Sequence, residues 1–246
     1  MSELNQEIES ELISAGASMV GFADVSELPA EARTGMPFAI SIAVALDALI
    51  IREISDGPTR RYYDEYTRVN EFLSRLSGIA VEYIQTRGHN ARAIDPTVRI
   101  EGQAKKSLST PLPHKTVATR AGLGWIGKSA LLITKTYGPA VRLATVLTDA
   151  PLEVGRPVDD SLCGDCTKCV DRCPARAITG ENWSRGMERQ SIYDAYACCT
   201  TAQELAGRKN ITVTIDGSRF PVTICGICIH ACPWTQKYLS REMRIR

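Results

Sequence analysis

Cys163-Gly164-Asp165-Cys166-Thr167-Lys168-Cys169-Val170-Asp171-Arg172-Cys173-Pro174 is answered further along the chain by Cys225-Gly226-Ile227-Cys228-Ile229-His230-Ala231-Cys232-Pro233. In the first run, three cysteines spaced by two residues can converge on one cluster around a tight turn. The fourth, followed by proline, is turned toward a second cluster. This spacing suits thiolate wrapping of iron–sulfur cubanes rather than closure of disulfides, and it predicts a C-terminal ferredoxin-like module holding two [4Fe–4S] clusters. Structural zinc is the competing reading, because cysteine pairs two apart also build tetrahedral zinc–thiolate knuckles. Zinc explains neither the prolines nor the three-residue gap before the last cysteine of both runs.

The second run lacks its first member, so one ligand comes from elsewhere among the nine cysteines. The crossed ligation of two-cluster ferredoxins assigns Cys163, Cys166, Cys169 and Cys232 to one cluster, and Cys173, Cys225 and Cys228 to the other. Cys198 and Cys199 both remain open as its fourth ligand. Clusters tied by crossed ligands lie close enough to exchange electrons, which makes electron transfer the base function. His230, between Cys228 and Cys232, is expected to pack beside a cluster and tune its potential.

The cysteines all fall in the last third of a 246-residue chain that is 44% hydrophobic. That asymmetry predicts a cysteine-free body over residues 1–158 and a cluster module over 159–246, with a seam at Pro151 to Pro157. With 29 basic and 28 acidic residues, the net charge is +1. No global field draws in nucleic acid or an anionic membrane. The acidic, amphipathic start does not read as a secretory signal or a twin-arginine leader, and no apolar run is long enough to span a bilayer. The expected location is the cytoplasm, where cysteines stay reduced and metallated.

In the body, Leu4, Ile8, Leu12 and Ile13 share a helical face that Gly16 ends, and Met19 to Ala23 and Phe38 to Leu46 read as strands. Tyr62, Tyr66, Val69, Leu73, Leu76, Ala80 and Tyr83 recur at helical spacing up to Gly88. Ala91 to Ile94 reads as a strand, His114 to Ala121 as a helix, and Ala130 to Thr134 and Val141 to Leu147 as extended, with a turn at Gly138-Pro139. The expected class is α/β, a layered α+β body ahead of the module. Within the module, short helices are expected after Cys166 and Cys228. Ile211 to Ile215 is expected to pair with Phe220 to Thr223 across Asp216-Gly217.

Gly122-Leu123-Gly124-Trp125-Ile126-Gly127-Lys128-Ser129 satisfies both the dinucleotide fingerprint and the phosphate-loop pattern. Both need a strand before and a helix after, whereas this segment follows a helical pattern and precedes an extended one. A P-loop ATPase with structural zinc is therefore the remote alternative. Close approach of backbone to a large flat cofactor gives the glycines a reason; a tight turn gives them another.

Ala121 to Lys128, then Leu131-Leu132-Ile133, Tyr137-Gly138 and Leu147-Thr148-Asp149, followed by the two cysteine runs, resembles the epoxyqueuosine reductases and, more distantly, the reductive dehalogenases. The resemblance implies a nitroreductase-like α/β body that binds cobalamin in its base-off form, fed with electrons by the cysteine module. Asp194-Ala195-Tyr196-Ala197-Cys198 looks like the family segment that carries the isolated ligand, which implies Cys198 rather than Cys199. The chain departs from the family at three places. Leu108-Ser109-Thr110-Pro111 stands where the family carries an acidic proton donor, Pro113-His114-Lys115 replaces an L-E-R or L-E-K run, and no helical-repeat extension follows the second cysteine run. A short relative with the same machinery and a different, small substrate is expected.

On that reading, Gly122, Leu123, Gly124, Trp125, Ile126, Gly127 and Lys128, with Lys115, form the cobalamin seat, Trp125 as a flat wall and Lys128 near the corrinoid tail. With the acid missing, His114 is the expected proton donor, because histidine titrates near neutral pH. Tyr66 is a weaker candidate, beside Tyr62 and Tyr63. The expected partners are a low-potential ferredoxin or flavodoxin as donor, and a small substrate or a corrinoid protein as acceptor. The alternative function is an electron-transfer protein that reduces a corrinoid on itself or on a partner.

Overall fold

A computed structural model of the chain describes residues 2–96 and 108–245. These divide into two compact units. The first comprises Met1–Ala45, Arg68–Trp125 and Val141–Asp159, and the second Leu46–Thr67, Ile126–Ala140 and Asp160–Arg246.

The first unit is built on an antiparallel sheet in the order β1-β2-β6-β3, with β1 Met19–Asp24, β2 Phe38–Ala45, β3 Ala91–Ile94 and β6 Val141–Thr148. Every residue of β2 except its first and last is buried. Its run, apolar apart from the buried Ser41, is that of a strand covered on both faces. Helix α1 (Glu3–Ser14) packs on β1 and buries Ile8 and Leu12; Ser2 caps it by accepting from the Asn5 N–H. The long helix α3 (Arg60–Gln85) buries Val69, Leu73, Leu76, Ala80 and Ile84. Helix α4 (His114–Arg120) lies on β1, β2 and β6, where Val117 and Ala121 pack with Ala23, Val25, Ala39 and Leu147.

The expected seam at Pro151 to Pro157 is packed rather than free. The buried Asn5 side chain donates to the Glu153 carbonyl at 2.8 Å and accepts from the Glu153 N–H at 3.0 Å. The Gly155 N–H donates to the Phe22 carbonyl at 2.8 Å, and a Cβ on Gly155 would lie 2.4 Å from the Ala121 carbonyl oxygen. Beyond it, Val158 donates to the Thr119 carbonyl, and the buried Arg120 pairs with Asp159. The strap therefore belongs to the first unit, where Glu153 and Gly155 find partners for their backbone groups.

The second unit corrects the expected two-segment division. Residues 46–67 and 126–140, assigned to the body from their lack of cysteine, are part of the unit that carries the thiols. Helix α2 (Ala48–Arg52), capped by Asp47, contributes the buried Ile51 and is followed by the buried Ile54. Short strands β4 (Trp125–Ile126) and β5 (Leu132–Ile133) form a two-stranded sheet. The module adds α5 (Lys168–Asp171), α6 (Arg189–Ile192), α7 (Ala195–Arg208), β7 (Thr212–Ile215), β8 (Ser218–Pro221), α8 (Ile227–Ala231) and α9 (Pro233–Ile245). The hairpin turns at Asp216-Gly217 as expected, but its second strand is Ser218–Pro221 rather than Phe220 to Thr223, with Ile215 opposite Ser218. Asp216 and Gly217 carry φ of +49° and +77°, as a two-residue turn of matching twist requires. The helices within the two cysteine runs, α5 and α8, pack on each other, and α9 packs on α2 and α8.

Candidate metal centre

The thiols gather in two groups. Cys163, Cys166, Cys169 and Cys232 line one cavity of about 180 Å³, together with Gly127, Lys128, Ser129 and Trp234. The turn from Cys163 to Cys166 is closed by the Cys166 N–H on the Cys163 carbonyl at 3.2 Å, with Gly164 at φ +54°. Cys232 reaches this group from the other run. It stands just ahead of α9, and the backbone N–H groups of Trp234 and Thr235 donate to its sulfur. A thiolate at a helix start is stabilised by those unpaired donors.

The second group consists of Cys173, Cys198, Cys225 and Cys228. The charges of Cys225, Cys198, Cys169 and Cys173 all bear on Cys228, after burial itself, and hold its thiol well above the ordinary range. Backbone N–H groups point at these sulfurs too, from Ala177 to Cys173 at 3.4 Å and from Ile227 to Cys225. Cys198 accepts from the Tyr193 side chain. Asp194 sets this up by capping α7, accepting from the N–H groups of Tyr196 and Ala197 at 2.9 and 3.0 Å. Tyr193 was missed in the sequence, and the signal that could have found it is its place just before that capping aspartate.

Burial, then Cys163, Cys232 and Cys166, push the Cys169 thiol up to about 11. Apolar surroundings and crowded sulfurs disfavour free thiolates, so a metal bound here must displace protons. Two four-sulfur sets, each with backbone donors aimed at the sulfurs, have the ligand chemistry of two cubane clusters.

The remaining expected site residues are placed differently. Gly122 ends α4: its N–H donates to the Thr119 carbonyl and the next N–H, of Leu123, to the Ala118 carbonyl, with Gly122 at φ +75°. That pattern is a Schellman cap, which selects glycine by itself. A Cβ there would also stand 2.7 Å from the Arg156 carbonyl oxygen. Leu123 packs over Gly21. Gly124 and Ile126 are buried, and Trp125 is 1% exposed, so protein atoms cover the ring expected to wall a cofactor. Gly127 faces Ile133 and Cys163. Lys128, at 5% exposure, stands in the thiol cavity. The glycine segment is thus spent on a helix cap and on close packing. It also leads into a turn and β5 rather than a helix, which removes the phosphate-loop reading.

His114 starts α4 with both ring nitrogens engaged. Nε2 lies 2.9 Å from the Asp95 carbonyl and Nδ1 2.9 Å from Thr145 Oγ1. A carbonyl only accepts, so Nε2 carries the proton and Nδ1 accepts from the threonine hydroxyl. These contacts brace α4 against β6 and the end of β3. Burial holds His114 below its ordinary 6.5, with the Asp95 carbonyl opposing and Arg142 adding. Folding therefore favours the neutral ring: the stability it brings is complete above pH 6.5 and is lost as pH falls toward the depressed value. Amide exchange in α4, corrected for intrinsic rates, is expected to speed up between about pH 7.5 and about pH 5, and His114→Gln to flatten that pH dependence. An unchanged slope in the variant would assign the effect elsewhere. Tyr66 and Lys115 are half-buried, on α3 and α4.

Three comparisons bear on these features. A family model described as a 4Fe-4S double cluster binding domain matches residues 162–235. An epoxyqueuosine reductase from Cyclobacterium marinum is 34% identical over 129 residues, 52% of this chain and 38% of that protein. One from Synechocystis sp. is 33% identical over 130 residues, 52% and 41% of the two chains. The matches thus span about two fifths of these curated relatives. Among solved structures, the catabolic reductive dehalogenase NpRdhA in complex with 3-bromo-4-hydroxybenzoic acid superposes with a TM-score of 0.68 at 18% identity, over 93% of this chain and 31% of that one. A reductive dehalogenase for which B12-dependent dehalogenation is described gives 0.67 at 18%, over 97% and 33%. An epoxyqueuosine reductase with an epoxyqueuosine-modified tRNA stem loop gives 0.63 at 20%, over 95% and 66%. The mixed α/β fold is shared with these solved structures, and residues 162–235 carry the 4Fe-4S domain. No helix among the described residues is long and apolar enough to cross a membrane.

Proposed function

We propose that this chain, similar in sequence to epoxyqueuosine reductases over half its length, is an iron–sulfur reductase that passes electrons singly through two [4Fe–4S] clusters to cobalamin, for reduction of a small substrate. The observation that carries the reading is the crossing of the ligands. Cys232 joins the first group and Cys173 the second, so that each cysteine run contributes to both clusters. Clusters laced together in this way are neighbours, and electrons entering one have a short path to the other. Lys128 adds a cation beside the first group, where it offsets the cluster's negative charge.

Cobalamin rests on the likeness to a B12-dependent dehalogenase and to the epoxyqueuosine reductases. When bound, it would supply two-electron chemistry at cobalt. The residues of the glycine segment do not fit it, since Gly122 and Gly127 close on the chain itself and Trp125 is covered. That packing favours a second reading, in which the chain reduces a corrinoid held by a partner.

Anaerobic protein reconstituted with iron, sulfide and cobalamin is expected to hold about eight iron atoms per chain. Retained cobalt supports the first reading. Loss of cobalt on desalting, with the reduced protein still reducing added cobalamin, supports the second. Stoichiometric zinc in place of iron would sink both.

A further inference from the structure

A groove of about 940 Å³ in the second unit is walled by Lys168, Arg172, Lys237, Arg241 and Arg244, with His230 and small or polar residues between them, and among the described residues no carboxylate lines it. The walls are continuous with the thiol cavity: Pro233 and Lys237 line both. They also interleave with the sulfurs along the chain. Lys168 stands between Cys166 and Cys169, Arg172 precedes Cys173, and His230 lies between Cys228 and Cys232. Two carboxylates stand nearby. Asp56 meets Arg172 at 3.3 Å and Glu242 meets Arg241 at 3.4 Å, both at exposed or half-exposed positions. Among the described residues, Lys168 and Arg244 pair with no carboxylate, and Lys237 sits over the Trp234 ring at 4.4 Å. Positive charge here is concentrated, although the whole chain carries only +1.

We infer that this groove is the docking surface for an acidic one-electron carrier protein, which seats there and reduces the cluster of Cys163, Cys166, Cys169 and Cys232. The inference rests on the iron–sulfur reading above. Charge complementarity supplies the attraction and its steering. The shared Pro233 and Lys237 wall decides the class of partner, because a body seated in the groove stands against the cluster cavity, a position of use to an electron donor. A nucleic acid would gain the same charge contacts without needing the cluster. In each encounter the carrier loses one electron and the oxidised [4Fe–4S]2+ cluster becomes [4Fe–4S]+. No bond is made or broken, and two encounters supply a two-electron reduction.

The test uses the reconstituted holoprotein and a photoreduced acidic [2Fe–2S] ferredoxin, with cluster bleaching followed by stopped flow. The second-order rate constant is expected to fall at least about tenfold between low salt and 0.5 M salt, within the range of steered associations of about 10- to 1000-fold. The double variant Lys168→Glu, Arg244→Glu is expected to lower it about tenfold at low salt, while reduction by methyl viologen radical changes less than about twofold. A carrier rate indifferent to salt and to charge reversal would overturn the inference while leaving the iron–sulfur reading intact. So would equal slowing with viologen, which would place the effect on the cluster. So would tight stem-loop RNA binding that the variant abolishes without altering the carrier rate. Protein that assembles no cluster would end both readings at once.

Discussion

Cys198→Ala is expected to lower iron from about eight to about four atoms per chain, whereas Cys199→Ala leaves it unchanged. The two cysteines are adjacent on α7, where successive side chains point about 100° apart, so both cannot face the same cluster. Cys198 stands with Cys173, Cys225 and Cys228 and accepts from the Tyr193 hydroxyl. Iron and sulfide analysis of the two anaerobic variants, with electron paramagnetic resonance after reduction, separates them. Loss of iron from Cys199→Ala alone would reverse the assignment. The surviving cluster in Cys198→Ala should be that of Cys163, Cys166, Cys169 and Cys232, which shares no ligand with the one lost.

Gly138→Ala is expected to destabilise the cluster unit without touching any ligand. Gly138 has φ +58°, and an added Cβ would meet the Thr235 backbone nitrogen at 2.5 Å, its Oγ1 at 2.8 Å and the Trp234 carbonyl carbon at 2.9 Å. Those atoms belong to the first turn of α9, and the N–H groups of Trp234 and Thr235 hold Cys232. Backbone cannot swing aside as a side chain does. The cost is about 1–3 kcal/mol for the collision, with roughly 1 kcal/mol more for the left-handed conformation. Gly217→Ala is the reference, since Gly217 has φ +77° and nothing within 4 Å, so it carries the conformational cost alone. Thermal bleaching of cluster absorbance should come several degrees lower in Gly138→Ala than in Gly217→Ala. Equal midpoints would mean that α9 shifts freely and does not fix Cys232.

The thiol groups were legible because cluster ligation constrains local spacing, and Cys-x2-Cys-x2-Cys leaves few other uses for three sulfurs. Strands β1, β2 and β6 were legible because strands buried over most of both faces read as mostly apolar runs, broken here only by residues such as Ser41, Arg142 and Thr145. The glycine segment is ambiguous in sequence for an equally physical reason. A helix cap and a close packing contact demand glycine as strongly as a cofactor does, and only the hydrogen bonds of Gly122 and the neighbours of Gly127 tell them apart. Helix α9 went unread although Pro233 stands at its first position, where proline is favoured, and Tyr238 and Leu239 face inward. The proline had been given to the cluster motif, and it serves both. Residues 46–67 escaped because what they bury is decided by segments distant in sequence, which no local pattern records.

That distant pairing sets a timetable for the chain's synthesis. Leu46, Ala48, Ile51, Ile54 and Tyr62 find their buried places in the unit that holds Cys225 and Cys232. At about 5–20 residues per second, they wait roughly 8–37 s on the ribosome for those partners to emerge. During that interval their apolar surface is open to aggregation or to chaperones. Completion of the unit then coincides with the arrival of the last cysteines, so that metallation and the burial of an early segment fall due together, and a shortage of iron or sulfide would be felt first as a failure of biogenesis.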